Sequence, residues 1–272
     1  MSAGTEQATK PIGELIIEHV ANSDVIVQLS IGGFDLSITK HVIMLWIAAG
    51  LLVTVAMIST RRYRRGDITA PRGFVNFLET IIAWVRSAIV IPNVGAGHAT
   101  TYAPLLLTFF FLIVTMNFLG LIPIFSYINH GHGGTTATGN INLTAALAII
   151  TFFAIIVAGV KEHGFFGHWK NIVPGGIPWP VMFILVPIEI MGMFVRPFAL
   201  TMRLAANMTA GHVAMLAIFA PIFMLHNVYV GVGSVVMNVG ITFLEMIVCV
   251  VQAYVFTLLS AVFIGMSIHP HH

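Results

Sequence analysis

Residues 179–225 read WPVMFILVPIEIMGMFVRPFALTMRLAANMTAGHVAMLAIFAPIFML, and residues 228–268 read VYVGVGSVVMNVGITFLEMIVCVVQAYVFTLLSAVFIGMSI. These apolar runs are 47 and 41 residues long, on the order of 60 to 70 Å each as helices. One upright crossing of a hydrocarbon core of roughly 30 Å uses less than half of that. Each run therefore either folds into two spans or forms one long, steeply tilted helix. Separate spans need loops with turn chemistry, and neither run contains a polar turn, which favours a hairpin of two tilted helices.

The rest of the chain is of the same kind. Of 272 residues 58% are apolar and 8% charged, against about 25% charged in an ordinary soluble domain. The net charge of +2 leaves no electrostatic footprint for nucleic acid or an acidic substrate. The single cysteine, Cys249, lies inside an apolar run, so no disulfide framework or CxxC pair exists. Residues 1–40 are read as an N-terminal outside segment: a short surface helix around Ile12–Val20 leads into an extended stretch, Val25–Ile38. Residues 41–272 are read as a single membrane domain. Its first span is 41–60, followed by Arg61, Arg62, Arg64, Arg65 and Arg72. These are five of the twelve Lys and Arg, and the positive-inside rule puts that loop in the cytoplasm and the N-terminus outside.

Residues 74–91 carry Asn76, Glu79, Thr80, Ala83, Arg86 and Ser87 at three- and four-residue intervals. This pattern predicts an amphipathic helix lying in the cytoplasmic interface, or packed on other protein. Spans 102–125 and 143–160 form a helical hairpin, joined by a loop rich in Gly, Thr, Asn and His without Lys or Arg, as an outside loop should be. Lys161, Glu162, His163, His168 and Lys170 mark the return to the inside, and the C-terminus is cytoplasmic. The expected fold class is an all-α integral membrane protein closed by two long, steeply tilted helices, 179–225 and 228–268.

The ionisable residues of the long runs carry the function, because intramembrane charges are costly and mark ion paths. Glu189, Arg196 and Arg203 share one helical stripe with Asn207 and Ala210. Ala199, Ala206 and Ala210 flank Arg203, and such small side chains let another helix approach closely. Asn238, Glu245 and Gln252 repeat every seven residues along one face of the second run. If the runs form an antiparallel hairpin, residues whose numbers sum to about 455 share a depth. Arg203 then lies level with Gln252, and His212 maps within a turn of Glu245, about 13 Å outward of the arginine. A histidine titrates near neutral pH and can pass protons to a carboxylate at the same depth. Arg203 cannot release its proton, so it acts as a fixed charge that interrupts a continuous proton wire. Glu189 lies roughly 21 Å inward. Arg196 either joins this site or snorkels to the inner interface.

The run Arg203-Leu204-Ala205-Ala206-Asn207-Met208-Thr209-Ala210-Gly211-His212 closely resembles the RLxxNMxxGH signature of subunit a of F-type ATP synthase, also called subunit 6. Asn117-Phe118-Leu119-Gly120-Leu121-Ile122-Pro123 resembles that family's NLLGLLP-type stretch, and Gln252-Ala253-Tyr254-Val255-Phe256 its QAxxF segment. The resemblance covers most of the chain from about residue 40 and implies a proton-translocating stator subunit of a bacterial inner membrane. It implies that Arg203 faces the essential carboxylate of the rotating c ring. Asn207, His212, Asn238, Glu245 and Gln252 then belong to an outer half-channel and Glu189 to an inner one. His212 and Glu245 stand exchanged relative to the enterobacterial pattern, as in the mitochondrial type. The implied partners are the c-subunit ring, b-type peripheral stalk subunits, the other ATP synthase subunits and the lipid bilayer. No cofactor, metal or bond chemistry is implied for this chain alone.

Two other classes are weighed against this. A monomeric proton-coupled secondary transporter needs internal repeats around a midplane site, and the sequence shows none. A haem or metal enzyme, prompted by twelve histidines, needs a second ligand at the depth of His212.

Overall fold

The structure is a computed structural model that describes residues 25–27, 30–31, 34–35, 38–64, 72–121, 137–170, 179–225 and 228–269. The surface helix expected around Ile12–Val20, residues 126–136 of the expected 126–142 loop, the 171–178 break and His271 and His272 lie outside these residues. The residues described before the first helix are extended. Strand β1 (Val25–Val27) pairs antiparallel with β4 (Ile38–Thr39), and β2 (Ser30–Ile31) pairs with β3 (Phe34–Asp35). Beyond Thr39 every regular element among the described residues is helical.

Helix α1 (Lys40–Arg64) buries Met44 and Ala48, whereas Trp46, Leu51, Val53, Met57 and Ile58 face outward. Such a run of exposed apolar side chains is untenable in water and ordinary in lipid. Helix α2 (Phe74–Val85) continues through a π-helical turn (Arg86–Val90) into α3 (Ile91–Val94), three residues beyond the expected end. Its polar stripe is exposed at Asn76, Thr80 and Arg86, while Val85, Ile89 and Val90 are buried. The Tyr63 hydroxyl donates to the Glu79 carboxylate and ties the end of α1 to α2.

Helix α4 (Ala96–Leu121) begins six residues earlier than expected, so Pro104 lies inside it rather than in its first turn. Gly95, at φ 88°, turns the chain immediately before Ala96, and nothing in the small residues that follow breaks a helix. A short 3₁₀ turn (Ala137–Gly139) precedes α5 (Ile141–Lys170), which runs past the expected end at 160. The break comes at Gly164, whose φ of 74° and ψ of 165° only glycine adopts readily. The two long runs fold as single helices with the expected bounds, α6 (Trp179–Leu225) and α7 (Val228–Ile268). Pro187, Pro197 and Pro221 remain inside α6 without dividing it.

The core lies where α4, α5, α6 and α7 meet. Phe109 of α4 packs edge-on against Phe256 of α7, with ring centroids 5.6 Å apart, and Phe152 of α5 stacks on Phe194 of α6 at 5.7 Å. Ala148, Ala158, Ala253 and Ala261 are buried at these seams. Small side chains let helices approach closely where lipid supplies no hydrophobic drive for their association. Among the described residues, six helical stretches are long and apolar enough to cross a membrane, including Phe74–Val94.

Candidate functional site: an antiparallel hairpin with two polar faces

Three contacts fix the register of α6 against α7. The Asn238 amide donates to the Met215 carbonyl at 3.4 Å, and the Thr242 hydroxyl reaches Met215 Sδ at 3.8 Å. A Cβ added to Gly211 would overlap the Glu245 carboxylate, whose carbon lies 3.0 Å from that position. These pairs sum to 453, 457 and 456, close to the 455 that an antiparallel hairpin predicts. Arg196 extends the register inward, its guanidinium carbon 5.4 Å from the centroid of the Phe263 ring.

The polar stripe of α7 points into the protein. Asn238, Glu245 and Gln252 are 5%, 3% and 8% exposed, and the seven-residue repeat keeps them on the face that meets α4 and α6. Neither carboxylate oxygen of Glu245 has a hydrogen-bond partner among the described residues. A buried, unpartnered carboxylate is costly, so water or a transferred proton is the natural counterpart there. Glycine at 211 makes the room, since any larger residue would occupy the space of the acid. His212 follows Gly211 in α6, which puts its backbone at the depth of Glu245; its side chain lies outside what the structure describes, as does that of Glu189.

Arg203 is placed differently from this stripe. Arg203, Ala206, Asn207 and Ala210 all lie on the exposed side of α6, and Ala199 joins them one turn before. The guanidinium is therefore intramembrane by sequence yet uncovered by its own chain. No described carboxylate forms an ion pair with it. Gln252 shares its depth by register but is buried. The cause lies in α6 itself. Leu200, Leu204 and Met208 recur at four-residue steps and take the buried face, which turns Arg203 and Asn207 away from the core.

Sequence reading missed part of the buried cluster. Asn117 of α4, fully buried, donates to the Cys249 carbonyl at 3.3 Å and accepts from the Thr138 hydroxyl at 2.5 Å. It thus joins α4, the turn before α5 and α7 through one side chain. Its signal was visible as the only amide in an apolar helix, within the Asn117–Pro123 motif, but its partners stand 132 and 21 residues away. No three His, Cys, Asp or Glu side chains converge as a metal site among the described residues.

Comparison with known proteins identifies the family. A family model described as ATP synthase A chain matches residues 42–265. ATP synthase subunit a 2 of Prosthecochloris aestuarii is 39% identical over 98% of this chain and 82% of its own length. ATP synthase subunit a of Chlorobium phaeobacteroides is 39% identical over 96% of this chain and 77% of its own. The Myxococcus xanthus subunit is 43% identical over 89% and 76%. With a family match over residues 42–265 and two polar faces on its last two helices, the chain belongs to the ATP synthase A chain family, the proton-translocating stator subunits of F-type ATP synthase.

Proposed function

We propose that the two faces of the α6–α7 hairpin divide the work of proton translocation. The outward face of α6, with Arg203 among Ala199, Ala206 and Ala210, packs against the c-subunit ring. The buried stripe of Asn238, Glu245 and Gln252 forms an outer half-channel together with His212 and Asn207, and Glu189 belongs to an inner one. The observation that carries this reading is the opposite exposure of Arg203 and Glu245 within one hairpin. A fixed guanidinium on the rotor-facing surface attracts a deprotonated ring carboxylate. Being unable to donate its proton, it keeps the two aqueous paths from joining.

The energetics follow from the field. Each proton crossing 100 mV releases about 2.3 kcal/mol, which the complex converts into rotation and ATP made on other subunits. A monomeric transporter would have no use for a small-residue face bearing an uncovered charge.

The same reading extends to topology. Residues 41–272 form one membrane domain, residues 1–40 lie outside, and the C-terminus is cytoplasmic in a bacterial inner membrane, following the arginine-rich 61–72 loop. The polar stripe of Asn76, Thr80 and Arg86 suits the 74–91 helix to the cytoplasmic interface. Helices α6 and α7, far longer than the hydrocarbon is thick, cross it steeply tilted. The ring and the b-type stalk subunits are the neighbours in the assembly.

Replacing Arg203 by Ala in the assembled complex is expected to abolish ATP-driven proton pumping in membrane vesicles while the subunits still co-purify. Normal pumping by that variant removes the separator role. In a companion test His212 and Glu245 are exchanged together. The double exchange is expected to recover more pumping than either single change, and strict additivity counts against the pair.

A further inference from the structure

The inner end of α7 is held by a clasp with no place in the half-channel reading. The backbone of Gly265 lies directly against the Asn93 carbonyl of α3. A Cβ built there would overlap that oxygen and stand 2.8 Å from the Asn93 carbonyl carbon and 3.6 Å from the Val94 nitrogen. Asn93 is itself fixed, since its side-chain amide donates to the Ile89 carbonyl at 2.7 Å within the π-helical turn. The turn that follows Gly265 makes further bonds to α5. The Ser267 hydroxyl donates to the Ile155 carbonyl at 2.8 Å, and His163 Nε2 donates to the Ile268 carbonyl at 3.1 Å, one of the terminal carbonyls that a helix leaves open. Elsewhere α7 is unrestrained at its glycines: at Gly231, Gly233 and Gly240 an added Cβ meets nothing within 4 Å.

We propose that Gly265 is a positioning residue for proton transfer: its bare backbone seats the Asn93 carbonyl and thereby fixes the axial position of α7, and with it Gln252 and Glu245. The inference rests on the half-channel reading above. Helix α7 is unbroken from Val228 to Ile268, so a displacement at Gly265 is carried along the rod to Gln252, about 20 Å away, and to Glu245, about 30 Å away. The backbone on the other side cannot yield as a flexible side chain can. A methyl group at 265 must therefore move α7 itself.

The test reads the register separately from the function. In the assembled complex with Cys249→Ala, cysteines are introduced as Met215→Cys and Thr242→Cys, whose native side chains touch across the hairpin. Gly265→Ala is expected to lose the oxidative 215–242 crosslink and to shift the pH profile of ATP-driven pumping, whereas Gly240→Ala keeps the crosslink. If Gly265→Ala does not assemble, Ser267→Ala loosens the clasp without adding bulk and is expected to weaken the crosslink and shift the profile in the same direction. An unchanged crosslink in both variants overturns the proposal, and so does a lost crosslink with an unmoved pH profile. Retention of pumping by Glu245→Gln strikes instead at the half-channel reading, so the two failures are distinguishable.

Discussion

Two polar faces of one hairpin differ in how the fold treats them. On α7 the acid and its flanking amides are covered on every side by the chain's own helices, with Gly211 hollowed to admit the carboxylate. On α6 the arginine and its alanines are left bare. A charge facing lipid without a partner is among the most costly arrangements available to a membrane protein. The chain covers one polar face itself and leaves the other for a neighbour to cover. On the proposed reading, the buried face is the path and the bare face is the interface.

The sharpest way to break this contrast is at the acid. Glu245→Gln keeps the shape and removes the titrating group, so ATP-driven pumping is expected to fall by about 10²-fold, the scale of a lost proton-transfer group. A variant pumping at the normal rate would mean that the buried stripe is structural glue. Next in size is Gly211→Ala, which forces the methyl into the Glu245 carboxylate. Overpacking of this kind costs about 1–3 kcal/mol, expected as a lower thermal midpoint of the purified complex together with slowed pumping. Gly233→Ala, facing open space, serves as the matched control.

Smaller effects sharpen the picture at the margins of the buried face. Asn117→Ala strands the Thr138 hydroxyl and is expected to destabilise the complex by about 1–2 kcal/mol. A double-mutant cycle with Thr138→Val should show coupling, and additive changes would mean that the bond contributes nothing. Smallest is Phe263→Leu, which removes the ring beneath Arg196 at a cost of about 0.5–1 kcal/mol. A thermal midpoint indistinguishable from the parent would show that Arg196 draws no support from the ring.

Much of the architecture was legible because the bilayer simplifies the code. The bounds of α6 and α7 follow from unbroken apolar runs, and their register follows from antiparallel pairing alone, which is why 455 lies within two of the sums at Met215–Asn238, Met215–Thr242 and Gly211–Glu245 and within four at Arg196–Phe263. The heptad of Asn238, Glu245 and Gln252 announced a common face for the same reason. Periodicity does not say whether a face turns inward or outward. The alanines around Arg203 and the family resemblance implied a neighbour at that face, and the packing of Leu200, Leu204 and Met208 leaves the arginine on the exposed side of α6 while Glu245 is buried. The start of α4 and the end of α5 differ from expectation where the signal is conformational: Gly95 and Gly164 redirect the chain through positive φ, which a hydropathy pattern does not register. Asn117 and Gly265 were invisible as partners because their contacts join helices far apart in sequence.

The most direct measurement pits one face against the other by cysteine crosslinking to the rotor. With cysteines placed along the outer helix of the c ring, Ala206→Cys on α6 is expected to form a disulfide with the ring, and Ser234→Cys on the buried face of α7 is expected to form none. Crosslinking at 234 as fast as at 206, or none at 206 in an actively pumping complex, would contradict the assignment of the arginine face to the rotor.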